Sequence, residues 1–211
     1  MRVEPLGDQC FLLRDLDSPA FVLADELNRM SVPWFVEAAP AFETVGLYVR
    51  GEVDWAWVHE VAQGCPSEGS PGRLHEIPVC YELGRDLSEI AALTSLDEDE
   101  VVTLHTSVAY SCRAIGFSPG FPYLGDLPPP LQGVPRLAEP RLRTEPGSVA
   151  LTGLCTGIYP QETPGGWRIL GETPLVIADP DRGFFPICAG DRVQFRRIGM
   201  EEFEMRLGEH L

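Results

Sequence analysis

The chain has no lysine: all 16 of its basic residues are arginine. That absence removes several chemistries at once. No lysine Schiff base can form, no Walker-type lysine can meet a phosphate, and no lysine can act as general base. Histidine is scarce, with four residues, and the six cysteines at 10, 65, 80, 112, 155 and 188 never fall into C-x-x-C spacing. A metal site is therefore not expected. Long apolar runs are lacking too, and the opening stretch Met1-Arg2-Val3-Glu4-Pro5-Leu6-Gly7-Asp8 has no apolar core of a signal segment. The sequence reads as cytoplasmic, with reduced thiols and no membrane span.

Positive charge is in short supply overall. Asp and Glu number 32, which leaves a formal net charge of −16. Nucleic acid and anionic membrane surfaces are poor partners for such a chain. The imbalance is uneven. Residues 1–103 carry 6 Arg against 20 acids, residues 104–178 carry 5 against 5, and residues 179–211 carry 5 against 7. A small anionic substrate would be tolerated in the neutral middle and repelled elsewhere. Hydrophobic residues make up 44% of the chain, enough to form a core in one large domain or two small ones.

The first third alternates strands and helices. Arg2–Leu6, Cys10–Arg14, Thr44–Arg50 and Leu74–Cys80 read as strands. Pro19–Met30 carries apolar residues near helical spacing, with Ser18 as N-cap, and Asp54–Gln63 reads as a helix capped by Asp54. The order ββαββαβ predicts a small α+β sandwich of the ferredoxin-like kind. Cys65-Pro66-Ser67-Glu68-Gly69-Ser70-Pro71-Gly72 is the linker candidate, which gives domains at 1–72 and 73–211. Two helices are expected next: one starting at Asp86 with Glu89, one with a capping box of Ser95 and Glu98. The acids at 97–100 fall in that helix's first turn, where its dipole favours them. From Val108 onward short strands predict a barrel or sandwich, with Leu175–Ala178 and Arg192–Arg197 as late strands and Met200–Leu211 as a tail.

Two blocks stand out: Gly116-Phe117-Ser118-Pro119-Gly120-Phe121-Pro122-Tyr123-Leu124-Gly125-Asp126, and residues 153–167 with Cys155-Thr156-Gly157-Ile158-Tyr159 and Pro164-Gly165-Gly166-Trp167. Proline and glycine rule out a helix, and the aromatic density exceeds what turns require. Glycine lets backbone approach a ligand, while Tyr and Trp give flat faces with polar handles. Phe117, Pro119, Gly120 and Phe121 are expected to shape a pocket. Tyr123, Thr156, Tyr159, Gly165, Gly166 and Trp167 are expected to line it. Arg141, Arg143 and Arg168 could each grip a carboxylate, although most such arginines are surface charges. His105 shares the apolar face of Val101 and Val102 and so points inward. It reads either as a general base or as a satisfied structural histidine. Ser118 and Ser148 lack a nucleophile elbow, and Cys155 has no basic neighbour to activate its thiol.

Those residues carry a resemblance. Pro5-Leu6-Gly7-Asp8, Ile77-Pro78-Val79-Cys80-Tyr81, Leu104-His105-Thr106, the Gly116–Gly125 block, Thr156–Pro160, Pro164–Trp167, Gly171-x-Thr173-Pro174 and Gly190-Asp191-x-Val193-x-Phe195 are similar to the family of 5-oxoprolinase B subunits, also described as KipI-like or as the first subunit of allophanate hydrolase. The resemblance implies an N-terminal α+β domain followed by a cyclophilin-like β-barrel. It implies a polypeptide that works with subunits A and C to open 5-oxoproline (pyroglutamate) to glutamate, using ATP with Mg in the assembled complex and none held by this chain alone. It also implies that His105, Tyr123, Thr156, Tyr159 and the Gly165–Trp167 corner line the pocket, with Arg141, Arg168 and His105 helping to hold the lactam carboxylate. Some relatives inhibit a sensor histidine kinase, and similar modules occur in amide or urea carboxyltransferases. The chain departs from the family pattern at Leu154, Cys155 and Glu172, where the family commonly has a small residue, Gln and Arg, and in Glu145-Pro146-Gly147-Ser148. Those departures bear on substrate identity.

Overall fold

A computed structural model describes residues 1–69 and 72–211. The chain forms two compact units, Met1–Pro71 and Gly72–Leu211. The candidate linker at 65–72 includes Ser70 and Pro71, which lie outside the described residues.

The first unit contains β1 (Arg2–Pro5), β2 (Cys10–Arg14), α1 (Ala20–Arg29), β3 (Phe35–Ala41), β4 (Thr44–Val49) and α2 (Trp55–Gly64). Its strands lie in the order β1-β2-β4-β3, every neighbouring pair antiparallel. Since β2 and β3 both run against β4, β2-α1-β3 is a split βαβ unit, as in ferredoxin-like sheets. The edge strand comes from the start of the chain rather than after the second helix. Leu13, Leu23, Leu27, Val45, Leu47 and Val58 fill the space between sheet and helices. Asp54 caps α2 by accepting from the Trp57 amide, as its position predicts. Ser18 does not cap α1. The cap position is Pro19, one residue later, and Ser18 is buried.

The second unit is built on a closed barrel. Its seven strands are β5 (Leu74–Cys80), β6 (Ala109–Ile115), β7 (Pro122–Gly125), β9 (Ser148–Thr152), β10 (Cys155–Ile158), β12 (Arg168–Glu172) and β13 (Arg192–Ile198), with β8 (Arg141–Thr144) and β11 (Thr163–Gly165) forming a separate two-stranded ribbon. The order β6-β13-β5-β12-β9-β10-β7 closes where β7 pairs back onto β6. Only β5 and β13 run parallel among these pairings, with Ile77 opposite Phe195. Inward residues alternate along the strands: Tyr110 and Cys112 on β6, Val149 and Leu151 on β9, Val193 and Phe195 on β13.

Between β5 and β6 run α3 (Leu87–Thr94) and α4 (Glu98–Thr106), which bury Leu87, Ile90, Val101 and Val102 against the barrel core. The capping box exists, but two residues later than expected: Asp97 accepts from the Glu100 amide, and Glu100 accepts from the Asp97 amide. Ser95 instead ends α3 in a left-handed conformation. Asp86 starts α3 without capping it, because its carboxylate is engaged elsewhere. Leu175–Ala178 is not a strand. Pro174 precedes it, the Leu175 amide turns back to the Thr173 hydroxyl, and only Val176 forms an isolated bridge, to His210. The expected tail contains α5 (Met200–Arg206), where Arg196 and Arg206 both pair with Glu202. Among the described residues no helix is long and apolar enough to cross a membrane.

Candidate functional site

The side chains singled out from sequence divide between the two faces of the barrel wall. Strand alternation sends Leu124, Val149, Leu151, Ile158 and Leu170 into the barrel core. Their chain neighbours Tyr123, Ala150, Tyr159 and Ile169 join Phe121, Cys155 and Trp167 in a second cluster. This cluster therefore lies on the outer face of β7, β9, β10 and β12.

Phe121 is its centre. Its ring meets Tyr123 and Tyr159 at 5.1 Å and Trp167 at 5.4 Å, all edge-on. Tyr123 meets Trp167 at 5.7 Å. Such T-shaped pairs are each worth about 0.5–1.5 kcal/mol beyond burial, so the walls are stiff. A cleft of about 230 Å³ opens among Phe117, Phe121, Tyr123, Tyr159 and Trp167 together with Arg136, Pro140, Pro164, Gly165 and Gly166. Phe117 stands at the lip, 62% exposed, with a left-handed backbone at φ 69°. A non-glycine residue holds that conformation at a cost of about 1–3 kcal/mol. Gly165 is required by close approach: a Cβ there would lie 2.6 Å from the Tyr159 hydroxyl and 2.7 Å from that of Thr144.

The Gly165–Trp167 corner is anchored from behind. Asp86, buried, accepts from Arg141 and, at 2.7 Å, from the Ile169 amide. Arg141 also donates to the Trp167 carbonyl at 3.4 Å. Arg168 pairs with Glu89 and donates to the Pro135 carbonyl at 3.0 Å. Arg143 pairs with Glu162 and Glu145. Arg141 and Arg168 thus brace the cleft from outside its walls. Burial raises the Tyr159 hydroxyl above its ordinary pKa, opposed by a hydrogen bond from the Trp167 backbone and by Arg136. Burial raises Tyr123 as well, again opposed by Arg136. Both phenols stay protonated near neutrality and can donate. Cys155 is also pushed up by burial and by Asp126, which leaves an inert thiol.

His105 lies on the other face of the wall. It has no solvent exposure and stacks on Phe195 at 4.5 Å. Its Nε2 is 2.9 Å from the Thr156 hydroxyl, and its Nδ1 is 2.7 Å from the Tyr81 hydroxyl. Thr156 donates its own proton to the Ala150 carbonyl at 3.0 Å. Its oxygen must therefore accept from His105 Nε2–H, which leaves Nδ1 bare to accept from Tyr81 O–H. The chain of hydrogen bonds fixes one tautomer and leaves the imidazole fully satisfied. Burial lowers the His105 pKa to about 3, so the ring is neutral. His105 and Thr156 consequently do not line the cleft, and in this arrangement neither has access to a ligand there. Pro119 and Gly120 also stand outside the cleft: Pro119 faces a separate open groove with Gln161 and Asp179, and Gly120 packs on Ala178. Leu154 and Glu172 are not among the lining residues either, while Cys155 packs against the aromatic cluster. Sequence reasoning missed Arg136 and Pro140, and it quoted Pro164 within the second block without giving it a lining role. Arg136 carries no local signal.

The sequence profile described as carboxyltransferase domain, subdomain C and D, matches residues 1–185. The protein named as the B subunit of 5-oxoprolinase in Bacillus subtilis (strain 168) is 31% identical, over 96% of this chain and 95% of its own length. The protein of the same name in Escherichia coli O157:H7 is 41% identical over 79% of each. Among solved structures, the crystal structure of TTHA0988 superposes with a TM-score of 0.80 at 35% identity, over 90% of this chain and 40% of that one. This chain therefore spans less than half of that longer protein. The match along most of both named relatives, together with the closed barrel, places the chain in the family of 5-oxoprolinase B subunits.

Proposed function

We propose that this chain is the B subunit of an ATP-dependent 5-oxoprolinase and opens 5-oxoproline to glutamate together with subunits A and C. The observation that carries the reading is the cleft itself, on a chain whose relatives bear that name. At about 230 Å³ it is smaller than the roughly 300–1,000 Å³ of sites for drug-sized ligands. Its walls are flat and aromatic, and its hydroxyls are neutral donors. A five-membered lactam fits that description, with its ring against Trp167 and its carbonyl toward Tyr159 or Tyr123. Pro164 and Pro140 stiffen the lining.

The cleft does not suit a nucleoside triphosphate. It offers one guanidinium, the chain has no lysine, and among the described residues no three acidic, imidazole or thiol groups cluster to hold a cation. In this reading ATP with Mg is held in the assembled complex. An unstrained lactam resists hydrolysis, which is why coupling to ATP is chemically reasonable. The contribution of this chain is to bind and orient the ring and exclude water from one face.

The test is ATP-dependent glutamate release from 5-oxoproline, with this chain co-purified with candidate subunits A and C and each component omitted in turn. The expected result is activity only when all three are present. A well-formed complex without activity on 5-oxoproline would end this reading. The name of the matched profile favours one second reading, a module of an amide carboxyltransferase. Activity that depends on a biotinylated partner would select it.

A further inference from the structure

Arg136 stands at the cleft mouth with its side chain exposed, yet the backbone around it is pinned. The Pro135 carbonyl accepts from Arg168 Nε at 3.0 Å, and the Leu137 amide donates to the Gly166 carbonyl at 2.8 Å. One step earlier, Val134 bridges Gly153. Residue 136 is thus fixed beside the Gly165–Trp167 corner from both sides.

Its guanidinium differs from its neighbours. Arg113, Arg141, Arg143 and Arg168 in the same unit each meet a carboxylate. Among the described residues Arg136 forms no ion pair, in a chain with 32 acids for 16 arginines. Its field falls instead on the cleft, where it favours the ionised forms of Tyr123 and Tyr159. A cation built into a rigid rim and left without an internal anion is suited to an external one.

We propose that Arg136 binds the carboxylate of the cleft's ligand, so that the cleft selects small flat amides bearing one carboxylate. This rests on the substrate reading above and sharpens it. The ring lies against Trp167 and Tyr123, and the carboxylate turns outward to a guanidinium that can hold it in bidentate fashion. Arg141 and Arg168, the arginines singled out from sequence, are engaged with Asp86 and Glu89. Arg168 becomes a positioning residue, since it holds the carbonyl that precedes Arg136.

The experiment is a calorimetric titration of the full chain, alone and in its co-purified complex without ATP. Three probes are used: 5-oxoproline, 2-pyrrolidinone (the same lactam without the carboxylate) and cyclopentanecarboxylate. Wild type should bind 5-oxoproline at least about tenfold more tightly than 2-pyrrolidinone. R136Q should weaken 5-oxoproline about 10- to 100-fold and leave 2-pyrrolidinone unchanged, and R136K should recover part of the loss. The exposed position predicts unchanged thermal unfolding in both variants. A preference for the carboxylated lactam that persists in R136Q would overturn the proposal, as would a wild-type cleft that binds neither carboxylate probe. If cyclopentanecarboxylate binds as well as 5-oxoproline and both lose affinity in R136Q, the role of Arg136 stands and the lactam reading fails.

Discussion

The barrel wall carries polar aromatic clusters on both faces, and they are opposites. On the inner face, Tyr81, His105 and Thr156 hand hydrogen bonds along a closed line that ends on the Ala150 carbonyl. On the outer face, Tyr123, Tyr159 and Trp167 surround an open cleft with a pinned arginine at its mouth. The residue types are similar. What differs is access: the inner polar atoms are sealed in the core, while the outer ones border an open cleft. A fully satisfied buried network contributes stability and a unique core, while hydroxyls that border an open cleft can meet a ligand. Residue chemistry alone therefore does not identify a site; access to an open cleft is needed as well.

The comparison is broken most forcefully from the inside. His105→Ala should cost about 3–5 kcal/mol in urea unfolding, because it leaves a cavity and strands the Tyr81 hydroxyl. A cost below about 1 kcal/mol would mean that the inner network does not stabilise the barrel.

Acid is the next lever. The folded-state pKa of His105, about 3, lies below the ordinary 6.5. The unfolded chain therefore binds the proton first. The associated stability is complete above about pH 6.5 and is lost as pH falls toward 3, at no more than about 1.4 kcal/mol per pH unit. Urea midpoints at pH 7 and pH 5 in wild type and His105→Gln test this. The variant should start lower and lack the histidine's share of the decline, and an identical decline in both would assign it to other groups.

Gly165→Ala probes the outer face. Its new Cβ would press on the Tyr159 and Thr144 hydroxyls, which predicts a stability loss of about 1–3 kcal/mol and a ligand affinity that falls further than stability. Unaltered binding would show that the corner tolerates displacement. The smallest effect belongs to Tyr159→Phe. Stability should change by less than about 1 kcal/mol, while lactam affinity drops about three- to tenfold as one donor is lost. Equal affinity would direct the lactam carbonyl to Tyr123 instead.

Signals in the sequence are legible where they act locally. Asp54 announces α2 because its carboxylate needs only the amide three residues on. Ser95-x-x-Glu98 and Asp97-x-x-Glu100 both have capping-box spacing, and the choice is made by Ser95 closing α3 in the left-handed region, which spacing does not encode. Asp86 looks like a helix-start acid, but Arg141 claims it from 55 residues away. The two glycine- and aromatic-rich blocks contain most of the cleft, since ring planes and close backbone approach need those residue types. Sequence also points His105 inward. It does not reveal that the pocket lies on the far side of the wall, which follows only once β10 is seen to send Thr156 in and Cys155 out. Arg136 is beyond reach of such reading because its importance rests on what its neighbours' backbones hold.

The parallel pairing of β5 with β13 also bears on how the protein is made. Ile77 meets Phe195, so 118 residues must leave the ribosome between one partner and the other. At about 5–20 residues per second that interval is on the order of ten seconds, during which Ile77 and Val79 have no barrel to enter. The closing step also carries the loop entropy of nearly the whole second unit, which slows it further. The first unit has no such dependence, because its sheet is complete by Val49. Newly made chains therefore pass through a stage with a finished first unit and an unfinished barrel, and that stage is where a chaperone would find apolar strand to hold.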